Sequence, residues 1–191
     1  MLKELVTKNR SYRGYDLSRK VTEEELRSLV ELTRAVPSGG NLQPLCYRLV
    51  TDPEEAAKVC ANVRFGAALP ELHLPFPGTE PGAFILICVN TALGKNPAAC
   101  GIDVGIAAQT MLLAAVEMGL GGLMIGNFKR SETAQLLDLP QHAEPMLLLA
   151  IGKPAETIVL EDAVPGKRID YYRDEKGVHH VPKRPLKDIL L

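Results

Sequence analysis

The chain has 191 residues, 46% hydrophobic and 24% charged, with a formal net charge of −1. That is enough for one substantial core, too short for two full domains, and too evenly balanced for a disordered chain or a polyanion-binding surface. Aromatic residues make up 5% and Trp is absent, which argues against a nucleic-acid stacking platform, so a single domain over residues 1–191 is expected.

The opening run MLKELVTKNR carries no apolar signal core and no cleavage site, and reads as the start of a cytoplasmic protein. Leu2, Leu5 and Val6 give it a short amphipathic helix. Thr22 followed by Glu25 is a capping box for a helix over residues 22–35, with Leu26, Leu29, Val30 and Leu32 on its apolar face. Asp52-Pro53-Glu54-Glu55 places an N-cap, an N1 proline and two acids in the first turn of a helix reaching residue 63. Residues 64–82 hold four prolines and three glycines and read as a long irregular loop.

Asn96-Pro97 repeats the capping device before an apolar stretch, residues 98–118, that Gly119 stops. The stretch is nearly long enough to cross a membrane, but Asp103, Gln109 and Glu117 interrupt it and no basic cluster flanks it, so a buried helix is expected. Ser131 starts a short helix ending near Leu137, and Pro185 opens a last one. Strand signals lie over residues 46–51, 83–90, 122–126 and 146–152. Their unbroken apolar runs suit strands covered on both faces, in a mixed helix and sheet layer architecture. From residue 159 onward the chain turns polar and reads as an extended tail rather than a core element. The cysteines Cys46, Cys60, Cys88 and Cys100 form no CxxC pair and no zinc spacing, so no metal is expected and they read as core fillers.

Four clusters can carry chemistry. Arg10-Ser11-Tyr12-Arg13 sets two guanidinium groups and two hydroxyls in four residues, a donor set suited to phosphate, or a solvated corner after a helix. Pro37-Ser38-Gly39-Gly40-Asn41-Leu42-Gln43-Pro44 lets backbone approach a planar ligand while Ser38, Asn41 and Gln43 offer hydrogen bonds, or it is a plain turn. Gly121-Gly122-Leu123-Met124-Ile125-Gly126-Asn127 ends a strand with exposed backbone groups, and Val181-Pro182-Lys183-Arg184-Pro185 adds two cations. Gly119-Leu120-Gly121 follows a helix and precedes a strand, the reverse of a Rossmann turn. His73, His179 and His180 suggest only surface or packing roles.

Taken together and in this order, RSYRGY, AVPSGGNLQP, GIDVGIAAQTMLLAAVEMGLGGLMIG and the closing DYYRDEKGVHHVPKRPL resemble the FMN-dependent nitroreductase family, in a short subgroup of it. The resemblance implies an α+β sandwich, a mostly antiparallel sheet wrapped by helices, built as an interlocked homodimer with residues 159–191 reaching over the partner. It implies FMN as cofactor, with NADH or NADPH as electron donor and an electron-poor acceptor such as a nitroaromatic or quinone. Arg10, Ser11, Arg13, Lys183 and Arg184 would hold the phosphate. Pro37, Ser38, Gly39, Asn41 and Gln43 would meet the ring from the partner chain, and Ile125, Gly126 and Asn127 would offer backbone groups at its reactive edge. No protein acid or base is then required, because the flavin carries the redox chemistry. A non-catalytic flavin-binding or storage protein is the alternative. Leu45, where many relatives have Trp, and Pro81, where close relatives have Arg, depart from the pattern.

Overall fold

A computed structural model describes all residues, 1–191. Local signals set most element boundaries. Helix α1 spans Leu2–Lys8. Thr22 caps α2 (Glu23–Leu32): its hydroxyl accepts from the Glu25 N–H at 3.2 Å, while the Glu25 carboxylate accepts from the Thr22 N–H at 2.9 Å. Asp52 caps α3 (Pro53–Ala61) by accepting from Glu55 N–H at 2.9 Å. Asn96 caps a 3-10 turn, Pro97–Cys100, that leads into α4 (Gly101–Glu117), and the chain leaves α4 through Gly119 at φ 71°. The last helix, α5, is Arg130–Leu136.

The main sheet contains β1 (Leu45–Val50), β2 (Ala83–Asn90), β3 (Gly121–Ile125) and β4 (Ala143–Gly152), in the order β1-β2-β4-β3 with every pair antiparallel. The continuous apolar run of β2 is explained by its two covered faces. Ala83, Ile85 and Ile87 pack with Leu26 and Leu29 of α2 and Ala107, Ala108 and Met111 of α4. Phe84, Leu86 and Cys88 pack on the other side with Ala56 and Val59 of α3, Tyr15 and Leu137. Pro97–Glu117 is long and apolar enough to cross a membrane, but seven residues of α4 are buried in this core.

The structure corrects several sequence expectations. Leu32 is exposed: at helical spacing it falls about 60° past Leu29, beyond the margin of the apolar face made by Leu26, Leu29 and Val30. Strand β4 begins at Ala143, three residues before the expected start, since Pro145 is tolerated at a β-bulge opposite Cys88. Pro185 introduces only a 3-10 turn, Leu186–Asp188. The tail is itself folded. Strands β5 (Ile158–Asp162), β6 (Tyr172–Arg173) and β7 (His179–Lys183) form a second sheet in the order β5-β7-β6, with β5 and β7 parallel and β6 and β7 antiparallel. An ion pair between Arg173 and the almost fully buried Glu156 carboxylate fastens this sheet to the body, and the same carboxylate accepts from the Arg13 backbone N–H.

Candidate functional site

The segment after α1 runs beside β3. The Tyr12 N–H donates to Gly122 O at 3.2 Å, and Ser11 and Gly122 form a parallel bridge. Two glycines make this approach possible. A Cβ on Gly121 would lie 2.6 Å from the Tyr12 ring, and one on Gly122 would lie 2.5 Å from Ala150 O and 2.6 Å from Leu112 Cδ2. Gly121 and Gly122 thus serve packing, at the opposite end of the strand from Gly126 and Asn127, the residues expected to offer backbone groups. Strand β3 is a sheet edge, so beyond Gly122 its outer side has no strand partner.

The β7 strand of the tail closes the other side. The result is a cleft of about 370 Å³ lined by Asn9, Arg10, Ser11, Arg13, Gln109, Leu112, Gly122, Met124, Ile158, Tyr171, His179, Val181 and Lys183. Arg10, Arg13 and Lys183 come from opposite ends of the chain, and no carboxylate lines the cleft. Arg13 is buried, with Nη1 donating to Ser11 O at 2.9 Å and its guanidinium 4.5 Å from the Tyr171 ring centre. Its Nη1 also lies 3.4 Å from Nε2 of His179. Because an arginine can only donate, Nε2 is the acceptor and the ring proton sits on Nδ1. Burial, then the charges of Arg13, Arg173 and His180, lower the His179 pKa to about 4, so the ring is neutral at pH 7.

Three N–H groups of these lining residues, Arg10 Nε, Arg13 Nε and His179 Nδ1, are buried without a hydrogen-bond partner. Buried donors are normally satisfied, and a set of them beside three cations fits an anion. This is the chemistry an FMN phosphate presents, so the donor set fits that group.

The nitroreductase family profile matches residues 6–71 and 84–153. The chain belongs to the nitroreductase family. A relative in Archaeoglobus fulgidus, named for NADH dehydrogenase or NAD(P)H nitroreductase activity, is 28% identical over 158 residues, covering 80% of this chain and 85% of its own. A Bacillus subtilis protein named FMN reductase [NAD(P)H] is 28% identical over 189 residues, covering 87% and 71%. The crystal structure of a nitroreductase family protein from Streptococcus pneumoniae superposes with a TM-score of 0.68 at 17% identity, covering 100% of this chain and 99% of that one, which shows the shared α+β fold.

Against the nitroreductase pattern, Arg10, Ser11, Arg13 and Lys183 come together in the cleft, but Arg184 does not line it: its guanidinium donates to Asp188 O within the terminal turn. Ile125 is buried, while Gly126 and Asn127 are exposed just past the free edge of β3, with Asn127 O accepting from Arg64 N–H at 3.2 Å. The glycine-rich loop lies apart from the cleft. Pro37, Ser38 and Gln43 line a separate hollow of about 180 Å³ with Leu45, Tyr47 and Asp103, and Gly39 and Asn41 belong to the adjoining 3-10 turn. Its polar groups satisfy one another. Ser38 Oγ accepts from Gln43 N–H at 3.0 Å, Gln43 Nε2 donates to Asn41 Oδ1 at 3.2 Å, and Gly39 N–H donates to Asp103 Oδ1 at 3.2 Å. Gly40, Asn41 and Gln43 all have positive φ, so the turn needs Gly40 and a tolerant Asn.

Tyr171 and His179 also line the cleft; from sequence His179 reads only as a surface or packing residue and Tyr171 carries no signal. The alternation Val178-His179-His180-Val181 was the available signal. On a strand it sends the two histidines to opposite faces, one to the cleft and one to Glu161 and Asp174.

Proposed function

We propose that this chain passes reducing equivalents from NADH or NADPH, through FMN, to a small electron-poor acceptor such as a nitroaromatic or a quinone, at a site shared by two copies of the chain. The enzyme is an NAD(P)H-dependent flavin oxidoreductase, in keeping with its family and with the activity in the name of its Bacillus subtilis relative. One observation carries the reading most: cations from both ends of the chain meet in a carboxylate-free cleft whose buried N–H groups lack partners.

When bound, FMN supplies the two-electron chemistry, and the protein supplies position and electrostatics. Arg10, Ser11, Arg13 and Lys183 bind the phosphate, with Tyr171 and His179 keeping the Arg13 guanidinium in place. A neutral His179 can turn its Nδ1 proton toward an anion without adding charge. The exposed backbone of Gly126 and Asn127 offers hydrogen bonds to the ring edge.

The ring wall comes from the loop of the partner copy, Pro37, Ser38, Gly39, Asn41 and Gln43. Two features support that arrangement. The loop hollow and the cleft share no residue, although both border α4, at Asp103 and at Gln109 and Leu112. Along the same helix α4 leaves an apolar stripe partly or fully uncovered, with Ile102 78% exposed and Ile106 and Leu113 half-buried. Spacings of four and seven residues put these on one helix face, fit to be covered by a second copy. Leu186, Ile189 and Leu190 of the tail are also exposed and suit the same partner.

The test is to purify the protein with its flavin, remove oxygen and add NADH or NADPH. Loss of the oxidised-flavin absorbance within seconds, followed by its return on adding a quinone or nitroaromatic, supports the reading. A bound flavin that neither nucleotide reduces refutes a reductase, and a protein that takes up no FMN refutes the cofactor site.

A further inference from the structure

The four cysteines are free thiols, and two of them are direct cross-strand neighbours: Cys46 on β1 is paired in register with Cys88 on β2. Two residues along, Asn90 N–H donates to Pro44 O at 2.7 Å, so the alternation makes 46 and 88 a hydrogen-bonded pair, with Cα atoms about 5.5 Å apart. That separation falls in the range spanned by disulfides, about 4.4–6.8 Å. Both side chains point to the same face of the sheet, toward the core layer of Phe84 and Leu86. Strand β1 is the edge of the sheet, and Cys46 is only half-buried while Cys88 is fully buried. The β-bulge at Ile87 and Cys88 on the β4 side gives the backbone room to adjust.

We propose that Cys46 and Cys88 are a redox-modifiable pair that hydrogen peroxide converts to a reversible intrachain disulfide. The Cys46 thiolate attacks one peroxide oxygen, the O–O bond breaks, and the leaving hydroxide takes a proton to become water. The sulfenic acid so formed on Cys46 is attacked by the Cys88 sulfur. An S–S bond forms, and the departing hydroxide takes the Cys88 proton as a second water. Two thiols are oxidised and one peroxide is reduced to two waters. An external dithiol reverses the step by thiol–disulfide exchange.

The division of roles follows from the environments. The neighbouring Cys88 thiol lowers the Cys46 pKa to about 7, which favours Cys46 as the attacking thiolate. The same neighbour, with burial, raises the Cys88 thiol and keeps it protonated. Cys60 lacks such a partner and burial raises its thiol to about 11, while Cys100 is buried and donates to Asn96 O at 3.5 Å. The expectation that all four cysteines are inert fillers therefore applies to Cys60 and Cys100. The bridge would lock the start of β1 directly after the Pro37–Pro44 loop, and the proposal does not depend on how that loop is used.

The reduced holoprotein is treated with a small excess of hydrogen peroxide, quenched, denatured and alkylated, and its thiols are counted by intact mass. Alkylatable thiols should fall from four to two, digestion should yield one cross-linked peptide pair containing Cys46 and Cys88, and dithiothreitol should restore all four. The C88S variant should stop at a Cys46 sulfenic acid captured by dimedone. The C46S variant, altered at the more exposed position, should keep all three of its thiols under the same dose. Four unreacted thiols in the parent protein, a bridge involving Cys60 or Cys100, or equal thiol loss in C46S would each overturn the proposal.

Discussion

The cleft beside β3 and the loop hollow beside α4 are built on opposite principles. The cleft gathers residues from the segment after α1, from β3 and from the tail, and leaves three buried N–H groups unpaired among cations. The loop is local, and its side chains and backbone satisfy one another within residues 38–43 and with Asp103. The first surface is electrostatically incomplete until an anion arrives; the second is complete as it stands and offers shape. Binding energy should therefore concentrate in the cleft, and loop changes should act mildly and through geometry.

The largest expected effect breaks the cleft. Replacing Arg10 and Arg13 together with Ala should cost several kcal/mol of FMN affinity, at about 1.5–3 kcal/mol for each charged hydrogen bond. Flavin fluorescence titration measures this, with circular dichroism on the same sample to confirm that the variant is folded; unchanged affinity would remove the phosphate assignment. A second change separates packing from ligand contact. Gly122→Ala drives a Cβ into Ala150 O and Leu112, and should cost about 1–3 kcal/mol of stability by overpacking. Gly126→Ala meets nothing within 4 Å and should leave the melting temperature nearly unchanged. Equal melting temperatures for the two variants would contradict the packing account of β3.

The adjacent histidines of β7 sharpen the contrast through pH. His179 has a folded pKa of about 4, below its ordinary 6.5, so the unfolded chain binds the extra proton between these values and stability falls as pH drops through that window. His179→Gln should flatten this limb of a denaturation series. His180 behaves oppositely. Burial alone would lower its pKa, but hydrogen bonds and charge from Glu161 and Asp174 raise it on balance. Its contribution is present below 6.5 and is lost as pH rises through the raised value, read as faster amide exchange in β5 and β7. The smallest effect belongs to the loop. Ser38→Ala removes the acceptor for the Gln43 N–H and should cost about 0.5–1.5 kcal/mol. A far larger loss of FMN affinity from that change would mean the loop hydroxyl contacts the ligand directly.

Where structure follows from neighbouring residues, the sequence was readable. Thr22 with Glu25, Asp52 with Pro53, and the run 83–90 each carry their own start signal; all three elements start as read, while the two helices end two to three residues before the expected points. Lys183 and Arg184 show the limit. They are identical in charge and adjacent, yet strand alternation takes one to the cleft while the terminal turn occupies the other. The tail sheet was hidden for a related reason: β5 and β7 are a parallel pair about twenty residues apart, each of five residues without apolar alternation, and long-range pairing leaves no local period to read. The role of His179 depends on that pairing and was hidden with it. Clustering of RSYR with PSGGNLQP pointed to the family and implied that the two segments serve different copies; within one chain they line separate hollows.

In the proposed arrangement the phosphate cleft belongs to one copy and the ring wall to the other. Subunit complementation tests it directly. Chains carrying Arg10→Ala with Arg13→Ala are co-expressed, under a distinct tag, with chains whose loop is disabled by Ser38→Ala, Gly40→Ala and Asn41→Ala, and the mixed dimers are isolated. One site in each mixed dimer then has both parts intact and the other has both parts damaged. FMN should bind with parental affinity at half the sites, although the cleft-variant homodimer alone binds poorly and the loop-variant homodimer alone binds measurably more weakly than the parent. Mixed dimers with no restored site, or a monomer that binds FMN with full affinity, would contradict the account.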